Sequence, residues 1–349
     1  MEIDIETALQ RDDLQFIDVR SPLEFEEASI PEAVNIPLFN DQEHHELGII
    51  YHHDGEAAAR KTALKIISPK LPSLVDQIMA ACGDKTPLLY CQRGGMRSLS
   101  LYRILELTGV RCFRLHKGYK AFRKHVNKSI ANYTLNSDLY VLNGLTGVGK
   151  TVVLHKLKKR GYPVIDLEGL ACHHGSVFGA IGYSKPRSQK DFDALLLKEL
   201  DLYKDTPFIL IEGEGRRIGD IYIPDFLMKA MENGQHVLLT ASLESRAKRI
   251  VKMYTGAKDT GKNQIQLIEA LCALERRIGL RKVESLTKMV KEERYHQAAE
   301  MLCKDYYDHF YDDSKKEKGH FIAQVESDDS STAVEKIIEI INLPKAVDQ

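Results

Sequence analysis

The 349-residue sequence is short of net charge, of paired cysteines and of long apolar runs, and each shortage removes a class of function. With 49 Lys and Arg against 50 Asp and Glu the formal charge is −1. Affinity for nucleic acid must therefore come from local basic patches and not from an overall field. The six cysteines (Cys82, Cys91, Cys112, Cys172, Cys272, Cys303) form no CxxC pair and no metal-ligand spacing. That argues for reduced thiols in a cytoplasm. No apolar run reaches the roughly 18 residues of a membrane span, and the acidic start from Met1 to Glu6 lacks the layout of a signal peptide. Internal repeats and low-complexity linkers are also missing. What remains is an ordinary globular composition, 43% hydrophobic and 28% charged, in a chain longer than one core usually holds. Two domains are expected, 1–134 and 135–349.

One stretch concentrates chemistry. Thr86 to Tyr90 is an apolar run, and Cys91-Gln92-Arg93-Gly94-Gly95-Met96-Arg97-Ser98 leads from it into a helical segment. Two adjacent glycines permit a tight loop around the sulfur, with backbone N–H groups and the following helix dipole favouring thiolate. Beside Arg93 and Arg97 such a thiolate is a nucleophile in an anion pocket, able to attack phosphorus or to carry sulfur or selenium. An inert buried cysteine is the plain alternative. Phe16–Pro22 is expected as a short strand ending in a turn and Ile30–Pro37 as a second strand, with a helical segment at Glu24–Ala28. This alternating pattern favours a parallel sheet with its site at the carboxyl ends of the strands. Asp18 and Arg20 are expected to form an internal ion pair. The pairs His44-His45 and His52-His53 are expected in a solvated or RNA-facing loop, because adjacent histidines in a strand point to opposite faces and cannot share one ion.

From Arg111 to Lys128 no acidic residue occurs. If the segment from Tyr119 is helical, Lys120, Lys124 and Lys128 share a face, and with Lys117 and Arg123 they make a candidate phosphate-tracking stripe. An ordinary solvated helix is the even alternative.

In the second half, Leu139 to Asn143 reads as a strand, and Gly144-Leu145-Thr146-Gly147-Val148-Gly149-Lys150-Thr151 completes a P-loop before a helix. Gly144, Gly147 and Gly149 admit an anion to the backbone, Lys150 supplies charge, and Thr151 can bind a phosphate-held metal. Strands are expected at Pro163–Asp166, Phe208–Glu212, His236–Thr240 and His320–Val325. Asp166, Glu168 and Glu212 stand at strand ends, where a P-loop enzyme keeps its metal-orienting carboxylate, although any could be a helix N-cap. Arg216 and Arg217 follow as candidates for gripping a diphosphate or an RNA backbone. Helical periodicity runs from Lys262 to Met301 and again from Ser331 to Ile341. Between them Tyr306, Tyr307, Phe310 and Tyr311 lie near Lys315 and Lys316, a pattern suited to base stacking or to core packing.

Asp18-Val19-Arg20-Ser21-Pro22, Ile30-Pro31 through Ile36-Pro37 and the cysteine loop resemble a rhodanese domain. That domain followed directly by a P-loop domain resembles the tRNA 2-selenouridine synthase family over nearly the whole chain. Further marks are Gly118-Tyr119-Lys120-Ala121, Asp166 through Ser176 and Glu212 through Gly219. Departures are His174, where Arg is common in the family, and Gly215, where Ser is. The resemblance implies an α/β fold, with an N-terminal rhodanese-like domain and a P-loop NTPase-like parallel-sheet domain carrying a helical C-terminal region. It implies conversion of wobble 2-thiouridine in lysine, glutamate and glutamine tRNAs to 2-selenouridine. The route is S-geranylation from geranyl diphosphate, then exchange with selenophosphate, the latter delivered with selenophosphate synthetase. Cys91 would carry selenium as a perselenide, with Arg93, Gly94, Gly95 and Arg97 binding selenophosphate. The P-loop with Arg216 and Arg217 would bind diphosphate, Thr151 with Asp166 or Glu212 would hold magnesium, and the anticodon stem-loop would meet the basic stripe. No tightly bound cofactor and no membrane partner are expected. Three alternatives stay open: a cysteine phosphatase, from the C-x5-R spacing of Cys91 and Arg97; an ATP-dependent kinase with a regulatory rhodanese module; and a pure tRNA-binding regulator, against which the intact cysteine loop and P-loop both count.

Overall fold

The computed structural model describes residues 1–179, 181, 183, 185–255, 260–308 and 321–343. They form two compact units, Met1–Asn132 with Asp193–Leu197, and Tyr133–Phe192 with Lys198–Gln349. Among the described residues no helix is long and apolar enough to cross a membrane.

The first unit is built on β1 (Glu2–Ile3), β2 (Leu14–Asp18), β3 (Val34–Asn35), β4 (Thr86–Tyr90) and β5 (Phe113–Leu115), in the order β1-β5-β4-β2-β3 with every pair parallel. Leu88, Leu89 and Tyr90 are wholly buried, as a strand covered by helices on both faces requires. Each such side chain contributes about 1.5–3 kcal/mol of burial. Asp18 pairs in register with Tyr90, so Arg20 and Cys91 leave the same edge of the sheet. The expected ion pair is there: Arg20 Nη2 lies 2.6 Å from Asp18 Oδ2, both buried. Arg20 also donates to Gln92 Oε1 at 3.1 Å and to the Ala28 carbonyl at 2.7 Å. The pair thus ties β2 to the cysteine loop.

The histidine stretch is a helix, Asp41–His53, and not a loop. Asn40 accepts from the Glu43 N–H at 2.8 Å, and Glu43 accepts from the Asn40 N–H at 3.0 Å. This capping box starts the helix and was the available sequence signal.

The second unit has β6 (Asp138–Asn143), β7 (Val164–Ile165), β8 (Phe208–Glu212), β9 (Arg217–Ile218), β10 (Ile221–Tyr222), β11 (Gln235–Thr240) and β12 (Ala323–Glu326). Five of these make a parallel sheet ordered β12-β11-β6-β8-β7, and β9 with β10 forms an antiparallel hairpin. Ile165 pairs with Ile211 and Leu142 with Glu212. That register brings Asp166 and Glu212 to one sheet edge beside the P-loop. The helices Leu243–Thr255, Thr260–Ala273, Leu280–Lys291 and Tyr295–Leu302 enclose a separate core around Leu271, Leu274, Leu286 and Tyr307. The helical stretch expected from Lys262 is broken at Gly279, whose φ is +87°. Tyr306 and Tyr307 are buried in this core, which makes them packing residues. Phe310, Tyr311, Lys315, Lys316 and His320 lie outside the described residues.

Candidate cysteine loop, basic cleft and phosphate loop

Cys91 follows β4 and is 3% exposed. Its Sγ is 3.3 Å from Ser98 Oγ and 3.9 Å from the Gly95 carbonyl. The start of the helix Gly118–Ala131 grips the loop from behind: the Tyr119 N–H donates to the Cys91 carbonyl at 2.9 Å and the Lys120 N–H to the Gln92 carbonyl at 3.0 Å. Arg114 Nη1 donates to the Gly94 carbonyl at 2.6 Å. These bonds consume loop carbonyls, and its N–H groups remain as the anion-binding potential. The approach requires glycine at Gly118, where φ is +55° and a Cβ would lie 2.0 Å from the Cys91 carbonyl oxygen. Gly94 (φ +63°) is similarly confined, 2.9 Å from the Lys117 nitrogen, whereas Gly95 has open space around it. Only the first of the two adjacent glycines is conformationally required. Elsewhere, burial pushes the Cys82, Cys112 and Cys303 thiols up to about 11, the behaviour of packing cysteines.

Arg97 is engaged with Glu24 through both of its terminal nitrogens, one at 3.1 Å. Burial works against the charge on Glu24, but the Arg97 guanidinium holds its carboxyl below the usual range. His44 stands 3.8 Å from the same carboxylate, and burial together with Arg97 lowers its pKa. Arg93 is exposed. It lines one open cleft of this unit with Lys117, Lys120, Arg123, Lys124, Lys128, Ala121 and Asn127. All five residues of the basic stripe therefore meet at a cleft that begins at the cysteine loop, and its lining holds no acidic residue.

In the second unit, Gly144, Gly147 and Gly149 all take positive φ. A Cβ at Gly144 would lie 2.5 Å from the Leu239 carbonyl oxygen, and one at Gly147 2.9 Å from that of Arg246. Lys150, at the start of the helix Lys150–Lys159, reaches back to the Gly144 carbonyl at 3.3 Å and lies 4.0 Å from Glu214. Two arginines of the helix Leu243–Thr255 hold the loop from outside. Arg246 donates to the Thr146 carbonyl at 2.9 Å while forking onto Asp308 at 2.6 and 3.1 Å. Arg249 donates to the Val148 carbonyl at 2.8 Å and to that of Gly147 at 3.3 Å. Sequence reasoning missed both, since nothing local links residues 100 positions apart.

The carboxylates separate by role. Asp166 caps the helix Leu167–Ala171, accepting the Gly169 N–H at 2.8 Å, and accepts His155 Nε2 at 2.6 Å. Burial opposes its charge, yet the His155 bond and the Gly169 N–H keep its pKa low. Glu212 is fully buried and accepts the Glu168 N–H at 2.7 Å. Burial first, then the charges of Asp166, Glu168 and Glu214, raise its pKa well above the ordinary value. Glu168 alone of the three bonds Thr151, at 3.4 Å, and it also lies 3.3 Å from His174 Nδ1. Among the described residues no group of three or more His, Cys, Asp or Glu could hold a metal ion. Arg216 and Arg217 are not brought to the loop by any of their bonds. Arg216 pairs with Asp225, and Arg217, on the hairpin, pairs with Asp220 at 2.5 Å, all four well exposed.

Beside the P-loop a narrow pocket is lined almost wholly by apolar atoms, among them Phe178, Ile250, Leu271, Ala299 and Leu302. Its cavity volume is about 40 Å³. Ile250 joins it to the loop, since a Cβ at Gly147 would lie 3.1 Å from Ile250 Cδ1. Tyr254, also in its lining, has its ring 6.3 Å from that of His174.

The description "tRNA 2-selenouridine synthase AAA domain" belongs to a family model that matches residues 137–340, and a rhodanese-like domain model matches residues 4–125. The chain belongs to the tRNA 2-selenouridine synthase family. Curated relatives of that name come from Nitrosomonas europaea (33% identical, 75% of this chain and 69% of the relative) and Cupriavidus pinatubonensis (31%, 84% and 87%). A third, from Pseudomonas putida strain W619, is 31% identical over 86% of this chain and 88% of its own. The family pattern and the fold agree: a rhodanese-like parallel sheet precedes a P-loop parallel sheet with a helical region.

Proposed function

We propose that this member of the family converts wobble 2-thiouridine in lysine, glutamate and glutamine tRNAs to 2-selenouridine through an S-geranyl intermediate. Geranyl diphosphate and selenophosphate are the donors. The observation that carries the reading is the P-loop adjoined by a narrow apolar pocket through Ile250. An apolar lining suits the methylenes and methyls of a prenyl chain better than a polar purine, which favours a prenyl diphosphate over a nucleoside triphosphate. Burial of the chain would contribute about 0.8 kcal/mol per methylene.

In the first step the thiouridine sulfur attacks geranyl C1, the C1–O bond breaks, diphosphate leaves and the ring N3 proton is released. Lys150 and the loop N–H groups meet the charge that develops on the leaving oxygen. Thr151 and Glu168 are the residues that would hold magnesium, since that ion takes few protein ligands and keeps its waters and phosphates; it would neutralise diphosphate charge. In the second step selenium replaces the geranylthio group, which leaves as geranylthiol. The basic cleft that starts at Arg93 suits the phosphates of an anticodon stem-loop bringing its base to Cys91.

Mass spectrometry of the wobble nucleoside tests both steps. Cys91→Ala should accumulate the geranylated base without selenouridine, and Lys150→Ala should lose geranylation itself. Undiminished selenation in the first variant, or undiminished geranylation in the second, overturns the assignment. Rapid turnover of an aryl phosphate, or phosphate transfer from labelled ATP, would instead favour the phosphatase or the kinase reading.

A further inference from the structure

We infer that Cys91 attacks the phosphorus of selenophosphate and not its selenium, which gives the first unit an RNA-independent selenophosphate-cleaving activity through a phosphocysteine. This rests on the function proposed above and specifies how the same site opens its donor.

The electron count points there. Selenophosphate holds selenium at the selenide level on phosphorus(V). A Cys91 perselenide would require that selenium to give up two electrons, either to an oxidant the reaction does not supply or to phosphorus, which would then leave as phosphite. Attack on phosphorus needs neither. The S–P bond forms, the P–Se bond breaks with its electron pair on selenium, and hydrogen selenide is released as the nucleophile for C2 of the geranylated base. Water then attacks phosphorus, the S–P bond breaks, and phosphate and the Cys91 thiolate are regenerated.

The geometry suits that step. Five residues between Cys91 and Arg97 form a loop whose carbonyls are tied down by the Tyr119 and Lys120 N–H groups and by Arg114. An N–H-lined loop of this size matches a phosphoryl group. The Ser98 hydroxyl, completely buried, sits 3.3 Å from Cys91 Sγ and also 3.3 Å from the Gly95 carbonyl. Its single proton, donated to the Gly95 carbonyl in the resting loop, can turn to the sulfur as thiolate leaves phosphorus, stabilising the leaving group. Arg97 holds two carboxylate oxygens of Glu24, and a phosphoryl group offers the same two-oxygen face to its fork. The donor and Glu24 therefore compete for one guanidinium.

The test uses the full chain and anaerobic selenophosphate labelled separately in phosphorus and in selenium, without RNA. Phosphorus label should appear on the Cys91 peptide after acid quench, with selenide released to a trapping reagent and phosphate formed. Cys91→Ser should abolish all three. Ser98→Ala should slow breakdown of the S–P bond on the order of tenfold or more, so that label accumulates above the wild-type level. Selenium label retained on Cys91, phosphite as product, or phosphate release unchanged in Cys91→Ser each overturns the inference. So does the lack of phosphorus label in both wild type and Ser98→Ala. Parallel conversion of pre-geranylated tRNA to selenouridine by the wild type shows that the proposed function stands independently of that result.

Discussion

Replacing Gly118 by alanine is the sharpest perturbation of the cysteine loop that leaves every reactive group in place. The residue has φ +55°, and a Cβ there would stand 2.0 Å from the Cys91 carbonyl oxygen and 2.6 Å from the Gly94 nitrogen. Left-handed backbone costs an alanine about 1–2 kcal/mol. Relieving the overlap requires the helix start to withdraw by about 1 Å or more, which breaks the Tyr119 and Lys120 hydrogen bonds to the loop, about 1 kcal/mol each. The sum is about 3–4 kcal/mol, or a fall on the order of 10 °C in the melting of the first unit. Gly109→Ala is the internal control, because its φ is +79° but no atom lies within 4 Å of its Cβ position. It should lose only the backbone component, about 1–2 kcal/mol. Differential scanning calorimetry measures both, and selenation and geranylation are followed on the same samples. Gly118→Ala should impair selenation by a factor of about 10² or more while geranylation persists. Equal melting losses in the two variants would refute the account of how the loop is held.

Gly95→Ala should keep selenation within a few-fold of wild type, as measured by nucleoside analysis, whereas Gly94→Ala should not, because only Gly94 combines positive φ with a backbone contact. Arg249→Met removes the arginine donor from the Gly147 and Val148 carbonyls, the latter keeping the Ser327 hydroxyl at 2.7 Å, which costs about 1–3 kcal/mol. Calorimetric affinity for inorganic pyrophosphate should fall about tenfold or more. Glu212 has its folded-state pKa raised above the ordinary 4.5, by burial and then by its acidic neighbours. Its stabilising contribution is full below that pH and is lost as the pH rises through the raised value. Glu212→Gln should therefore lose less melting temperature than wild type between about pH 5 and 8; identical slopes would contradict the shift.

The central strands β2, β4, β6, β8 and β11, the two site loops and the parallel character of both sheets were readable because they depend on local pattern, short apolar runs and glycine where the backbone turns sharply. By contrast β1, β5 and the β9–β10 hairpin, two or three residues to each strand, carried too short a pattern to be read. The spacing of Lys120, Lys124 and Lys128 likewise made their shared face readable once a helix was assumed. What the sequence could not apportion was the role of like residues. Asp166, Glu168 and Glu212 look interchangeable in one dimension, yet the register of β7 on β8 sends one to a helix cap, one beside Thr151 and one into full burial. Arg216 and Arg217 look like phosphate ligands but find nearby aspartates. The arginines that secure the P-loop, Arg246 and Arg249, come from a helix about a hundred residues on. Local chemistry determines which groups can bind an anion, whereas long-range packing decides which of them are already occupied, because a charged side chain takes whichever partner the fold brings within a few ångströms.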